Sequence, residues 1–251
     1  MTKIGIIGGS GLDDPKILAE TGEITVSTPY GEPTSPLTIG EIKGVKVVIL
    51  ARHGRQHTYP PTQVNYRANI FALKEQGCTH ILATTACGSL QEDIRRGDFV
   101  VLDQFIDFSR RRPVSFFEHF DPGISNAKHT PMAEPFSELL RQKLIAAAEK
   151  LDLRYHSRGT VITIEGPRFS TRAESNMFRI WGADVINMTL APEAILANEL
   201  EIPYGAIAVA TDYDCWKTDE KPVTIAEVMH VFEQNVEKLK KLLLLTIEMV
   251  G

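Results

Sequence analysis

Apolar and polar positions along the 251 residues alternate with two periods. Short runs of β-branched or small apolar residues at 4–7, 24–28, 37–42, 45–51, 81–85, 99–103, 160–164, 185–188 and 205–210 predict strands. Lys43-Gly44, between two of these runs, predicts a hairpin. Between the strands, apolar residues recur at helical spacing. Gln63 to Gln76 places Val64, Ala68, Phe71 and Ala72 on one face and ends at Gly77. Pro135 opens a helix to about Lys150, and Pro192 to Leu200 is another. Thr171-x-x-Glu174 is a capping box for a helix ending before Gly182, and Thr224-x-x-Glu227 caps a final amphipathic helix to about Met249. Strands alternating with helices predict an α/β fold with a largely parallel sheet covered on both faces. Neither repeats nor a linker divides the chain, so one domain spanning 1–251 is the expectation.

Composition narrows the functional classes. A net charge of -5 argues against nucleic-acid and anionic-membrane partners, which call for a basic field. The cluster Arg110 to Arg112 is too short to reverse this. Cys78, Cys87 and Cys215 form no Cys-x-x-Cys pair, which suggests neither a disulfide framework nor a zinc site, and a reducing compartment. The N-terminus has no cleavable leader pattern, and the run Leu242 to Ile247 is too short to span a bilayer. A soluble cytoplasmic protein is expected.

Candidate chemistry collects at the strand ends. The first strand runs into Gly8-Gly9-Ser10-Gly11, a loop whose N–H groups and hydroxyl suit an anion, with a plain tight turn as the other reading; it lacks the long helix of a dinucleotide fingerprint. The strand ending at Ala51 leads into Arg52-His53-Gly54-Arg55-Gln56-His57, where Arg offers a fork for phosphate oxygens and His a second donor. The same Arg-His-Gly also begins histidine phosphatases, and a solvated basic loop is a third reading. Thr85-Ala86 and Thr189 supply further hydroxyl and N–H groups, whereas Cys87 reads as a packed residue. Glu165-Gly-Pro-Arg-Phe-Ser170 presents Phe169, for which core is the commoner fate of a Phe while its Gly-Pro flank argues for exposure in a cleft. Asp212 and Asp214 end an apolar run, either as ligand-facing acids or as the start of a turn. His119 and His129 lie in a long loop from 110 to 131.

Taken together, Gly-Gly-Ser-Gly-Leu, Ala-Arg-His-Gly-Arg-Gln-His, Thr-Thr-Ala-Cys-Gly-Ser-Leu, Ile-Glu-Gly-Pro-Arg-Phe-Ser-Thr-Arg-Ala-Glu-Ser, Asp-Val-Ile-Asn-Met-Thr and Ala-Thr-Asp-Tyr-Asp-Cys-Trp resemble, in this order, the trimeric purine nucleoside phosphorylases, and among them those that cleave methylthioadenosine. The resemblance covers nearly the whole chain. It implies a single-domain, three-layer αβα fold around a mixed sheet, a homotrimer, no metal or other cofactor, and inorganic phosphate as co-substrate. It matches Ser10, Arg52, His53, Thr85, Ala86 and Thr189 to phosphate contacts, and Met188 to a ribose contact. Phe169, Ser170, Asp212 and Asp214 match the purine site, with Asp212 protonating the leaving base. Ile225 would line the 5′ pocket together with His129 of a neighbouring subunit. Members often extend further beyond the last helix than this sequence does, which implies a more open 5′ pocket here.

Overall fold

The computed structural model describes residues 1–8, 18–123, 126–220 and 223–251, the side chain of Glu20 excepted. In chain order the elements are β1 (Lys3–Gly8), β2 (Ala19–Ile24), β3 (Leu37–Ile42), β4 (Val45–Ala51), α1 (Tyr66–Glu75), β5 (His80–Ser89), β6 (Phe99–Val101), β7 (Gln104–Phe108), α2 (Glu138–Lys150), β8 (Tyr155–His156), β9 (Thr160–Ile164), α3 (Arg172–Ile180), β10 (Val185–Asn187), α4 (Leu190–Glu199), β11 (Tyr204–Asp212) and α5 (Ile225–Val250).

All the strands join one mixed sheet. Its centre is parallel: β4, β1, β5 and β11 run the same way, with Ile6 opposite both Ile49 and Leu82, and Ala206 opposite Ala83. Such strands are buried on both faces, and every residue of β11 is buried. Alternate residues feed opposite cores. Val48 and Leu50 of β4 pack with α1 and α4 residues such as Ile70, Leu73 and Leu196, while Val47 and Ile49 pack with Leu140, Leu144, Leu239 and Leu242 of α2 and α5. A third cluster seats Phe178 of α3 on Ile162 and Ile186. The result is the expected three-layer αβα arrangement.

Local chemistry sets the element ends. The hairpin between β3 and β4 forms through Lys43 (φ 51) and Gly44 (φ 80). Both halves of the Thr171/Glu174 capping box are present. The helix expected from Pro135 begins instead at Glu138, because Ser137 supplies the cap by accepting from the Leu140 N–H. Likewise α1 starts at Tyr66 with Asn65 as cap, after a single 3₁₀ turn at Pro61–Gln63. The strand expected at 24–28 is displaced: pairing with β3 covers Ala19–Ile24, and Thr28 turns back onto Gly31. Ile24 and Val26 alternate because they pack against the core, not because the segment between them continues a ladder. β7, absent from the sequence pattern, is an edge strand of half-buried residues parallel to β9.

β5 is the spine of the molecule. β11 pairs along one edge from Ile81 to Gly88. The other edge is shared: β1 covers it up to Ala83, and β10 approaches antiparallel at Gly88 and Ser89. Thr84 to Cys87 lie between these two partners.

Packing of β11 on α2 depends on Gly205, where an added Cβ would sit 2.7 Å from Leu140 Cβ. That atom is anchored to a helix backbone and cannot swing away. Gly205→Ala should therefore destabilise by about 1–3 kcal/mol through overpacking; chemical denaturation showing no loss would mean the α2–β11 contact is looser than described.

Candidate active site

A cavity of about 520 Å³ opens at the gap in the β5 edge. It is lined by Arg52, His53, Thr85, Ala86, Met188 and Thr189 together with Phe169, Ser170, Asp212, Asp214 and Ile225. Eleven candidates from separate parts of the chain thus share one space. Ser10 lies outside the described residues. His129 does not line the cavity; it is exposed, with its ring edge-on to Phe120 at 5.7 Å.

At one end, the guanidinium of Arg52 is 2% exposed and does not hold its fork open. Nε and an Nη donate to the two carboxylate oxygens of Glu193 at 2.5 and 2.9 Å, and the other Nη donates to the Thr84 carbonyl at 2.7 Å. Burial alone would weaken Arg52 as a base, but the charge and hydrogen bonds of Glu193 outweigh it, so the guanidinium stays charged. Glu193 and Thr84 take three of its five N–H bonds, and the Tyr204 hydroxyl also lies within hydrogen-bonding reach of the guanidinium. The sequence reading of a free fork is corrected in this respect: the fork belongs to Glu193. Tyr204 OH donates to the same carboxylate at 2.7 Å. The Arg52 backbone N–H is bound to the Gly8 carbonyl at 3.0 Å.

His53 follows on the same loop, with Nδ1 2.8 Å from the Tyr59 carbonyl. Burial first, then the positive charge of Arg52, lowers its pKa to about 4, so the ring is neutral near pH 7. The hydroxyl of Thr85 donates to the Ala86 carbonyl at 2.8 Å, and Asn187 Nδ2 reaches Thr85 Oγ1 at 3.4 Å. Because β10 descends against β5, Asn187, Met188 and Thr189 arrive beside Thr85 and Ala86.

At the other end, β11 carries a register irregularity between Ala210 and Asp212, leaving Thr211 as the extra residue and turning Asp212 into the cavity. Asp212 is 7% exposed. Its Oδ1 accepts from the Thr211 hydroxyl at 2.7 Å and its Oδ2 from the Asp214 N–H at 2.9 Å. Burial dominates these bonds and lifts the carboxyl to about 6. Gly88 permits this placement, since a Cβ there would lie 2.9 Å from Asp212 Oδ2. Asp214 sits in a left-handed conformation (φ 40) and accepts from the Ser170 hydroxyl at 2.7 and 2.9 Å; burial raises its pKa as well. The Ser170 proton is thereby directed at Asp214. Phe169 is 40% exposed, in the cleft as the sequence suggested.

Four groups beyond the sequence reading shape the cavity. Glu193 is the partner of Arg52. Arg112, 9% exposed, donates to the carbonyls of Met188, Ile164 and Glu165 and to Tyr66 OH, at 2.5, 3.3, 2.5 and 3.0 Å, and so ties the ends of β9 and β10 together. Asn187 holds Thr85. Val228, Met229 and Phe232 extend Ile225 into an apolar face at i, i+3, i+4 and i+7 of α5. A signal for Glu193 existed, because a carboxylate inside the otherwise apolar Leu190–Ala197 run is buried only if paired. Arg112 gave no such signal, since its neighbours Arg110 and Arg111 make it read as surface.

A carboxyl raised by burial weakens the fold once ionised. Between about 4 and about 6 the native state holds the Asp212 proton and the unfolded chain does not, so stability falls as pH rises through that window. Asp212→Asn removes this loss. The variant should gain on the wild type by about 1–3 kcal/mol on going from pH 4 to pH 7. Its amide also meets the Asp214 N–H, but that offset does not change with pH, so the difference between the two pH values is the readout. Urea denaturation giving a flat difference would contradict a raised Asp212.

Comparison with known proteins follows the same lines. The profile of the phosphorylase superfamily matches residues 3–248. The chain is 55% identical to the S-methyl-5'-thioadenosine phosphorylase of Danio rerio over 99% of its own length and 89% of the relative's, and 55% identical to that of Xenopus tropicalis with the same coverage. Among solved structures, the methylthioadenosine phosphorylase of Schistosoma mansoni in complex with adenine superposes with a TM-score of 0.93 at 44% identity, covering 100% of this chain and 92% of that one. A variant of the adenosine/methylthioadenosine phosphorylase from the same organism, in complex with methylthioadenosine, gives a TM-score of 0.91 at 44% identity, with the same coverage. With one profile spanning nearly all of its length and relatives sharing half of its residues, the chain belongs to the phosphorylase superfamily.

Proposed function

We propose that the enzyme phosphorolyses 5′-methylthioadenosine to adenine and 5-methylthioribose 1-phosphate. The observation that carries this reading is the pairing, in one cavity, of a buried carboxyl raised to about 6 at one end with Arg52 and His53 at the other. Breaking the C1′–N9 bond sends an electron pair to the purine and leaves positive charge on the ribose. Asp212 gives its proton to N7 as the base leaves, a step worth on the order of 10²- to 10⁴-fold. A phosphate oxygen then bonds to C1′. Held by Arg52, His53, Thr85, Ala86, Thr189 and Ser10, the anion stabilises the oxocarbenium-like sugar before attacking it.

The remaining residues define the nucleoside. Phe169 faces the base, Asp214 accepts from the 6-amino group, and the Ser170 hydroxyl turns from Asp214 toward N1. A 6-oxo group would set oxygen against carboxylate and leave buried groups unpaired, so adenine nucleosides are preferred. Met188 contacts the ribose. Ile225, Val228, Met229 and Phe232 accept the thiomethyl group, each buried carbon contributing about 0.8 kcal/mol, so methylthioadenosine is favoured over adenosine by tens of fold rather than by millions. His129 belongs to a neighbour's 5′ pocket in a homotrimer, which suits its place outside its own cavity. Inorganic phosphate is the co-substrate and no cofactor takes part. The enzyme works in the cytoplasm in purine and methionine salvage; its three unpaired cysteines suit a reducing compartment.

Adenine release from methylthioadenosine, measured with and without phosphate, tests the reading. Release should require phosphate and saturate with it. Equal release in its absence would make the protein a hydrolase, and a phosphoenzyme on His53 would favour the phosphatase reading of Arg-His-Gly.

A further inference from the structure

The loop after β4 closes on itself. Tyr59 N–H donates to the His53 carbonyl at 3.0 Å, and the Tyr59 carbonyl lies 2.8 Å from His53 Nδ1. A carbonyl only accepts, so Nδ1 carries the hydrogen. In a neutral imidazole the other nitrogen, Nε2, is then bare and can only accept. The surroundings keep the ring neutral: Arg52 is its chain neighbour, the His57 ring lies at 4.5 Å, and Arg112 adds a further positive field. Glu193, the carboxylate nearest in role, is taken up by Arg52 and Tyr204. Among the described residues Nε2 receives no hydrogen bond, and His53 lines the cavity.

We propose that His53 Nε2 accepts the hydrogen of hydrogen phosphate, so that this end of the cavity selects protonated tetrahedral anions over bare ones of equal charge. The proposal rests on reading that end as the phosphate subsite. It also replaces the donor role that the sequence suggested for His53 with an acceptor role. The other polar groups among the described residues at this end cannot make this distinction. The N–H groups of Arg52 only donate, and the Thr85 and Thr189 hydroxyls rotate to donate or accept as the ligand demands. Near pH 8, sulfate and hydrogen phosphate are both dianions of similar size and differ by one proton. A sulfate oxygen set against the Nε2 lone pair finds no hydrogen between them, and discrimination comes from that mismatch. Because both halves of the Tyr59 contact are made by one short loop, the tautomer is fixed before any ligand arrives.

The test uses four anions in isothermal titration of the full chain at pH 8: phosphate and arsenate, which carry a proton, and sulfate and selenate, which do not. The wild type should bind each protonated anion about tenfold or more tightly than its bare counterpart of similar size. His53→Lys, which offers donors only, and His53→Ala, which offers nothing, should each bring the ratios to within about threefold; the second variant stands in should the first not fold. Sulfate binding to the wild type as tightly as phosphate, with phosphate still driving adenine release, would overturn this inference and leave the phosphorylase reading intact. Discrimination that persists in both variants would overturn it too, by placing the acceptor elsewhere. Phosphate that neither binds nor accelerates adenine release would bring down both.

Discussion

The buried ion pair between Arg52 and Glu193 ties four elements of this molecule together at one point. Its members come from the end of β4 and the first turns of α4, and it also binds a carbonyl of β5 and the hydroxyl that opens β11. Both side chains are at most 2% exposed, so neither charge has water to fall back on. Losing one partner from such a pair costs about 3–5 kcal/mol, mostly because the other is left uncompensated. The arrangement also sets the electrostatics of the cavity. Glu193 neutralises most of the charge that a free arginine would offer, so an anion at this end of the cavity would meet directed hydrogen bonds more than bulk positive potential. Selectivity by protonation state fits a subsite of that kind.

The second constraint is the shared edge of β5. Ligand sites in α/β sheets form where neighbouring strands part company at their carboxyl ends. Here β1 leaves β5 after Ala83, and β10 arrives head-on from the opposite direction, which places Thr85 and Ala86 opposite Met188 and Thr189. A β10 parallel to β5 would have carried its carboxyl end away from Thr85 and Ala86 instead of back toward them. The bulge at Thr211 and the absence of a side chain at Gly88 then bring Asp212 to the same gap.

These two constraints explain what the sequence could and could not reveal. Apolar runs ending in Arg52, Thr189 and Asp212 marked the strand ends, because burial on both faces leaves a plain signature, whereas the run expected to stop at Thr85 continues as β5 to Ser89 because β11 pairs with it as far as Gly88. The direction of β10 left none, since three apolar residues read alike whichever way they run. Strand 24–28 went astray because core packing imitates strand alternation, and β7 was missed although Phe105, Ile106 and Phe108 are apolar, because Gln104 and Asp107 break the run of a half-buried edge strand. In the site, residue types were legible but hydrogen-bond directions were not. That the fork of Arg52 faces Glu193, that Ser170 serves Asp214 and that His53 shows an acceptor all depend on partners more than 40 residues away or on the shape of one loop. Arg112 is the clearest case, a fully engaged buried cation hidden in a sequence cluster of surface-like arginines.

The central claim is that one cavity holds phosphate and nucleoside at the same time, with the anion at the Arg52–His53 end, the base at the Asp212–Asp214 end, and C1′ between them. Phosphate must then enter on the side of C1′ opposite the departing purine. The most direct check is the anomeric configuration of the sugar phosphate formed from methylthioadenosine, read from proton and phosphorus couplings by NMR before the product equilibrates. A single displacement from this geometry predicts inversion, giving the α-1-phosphate. A product that retains the β configuration would require two displacements and a covalent glycosyl-enzyme intermediate, and would contradict the account.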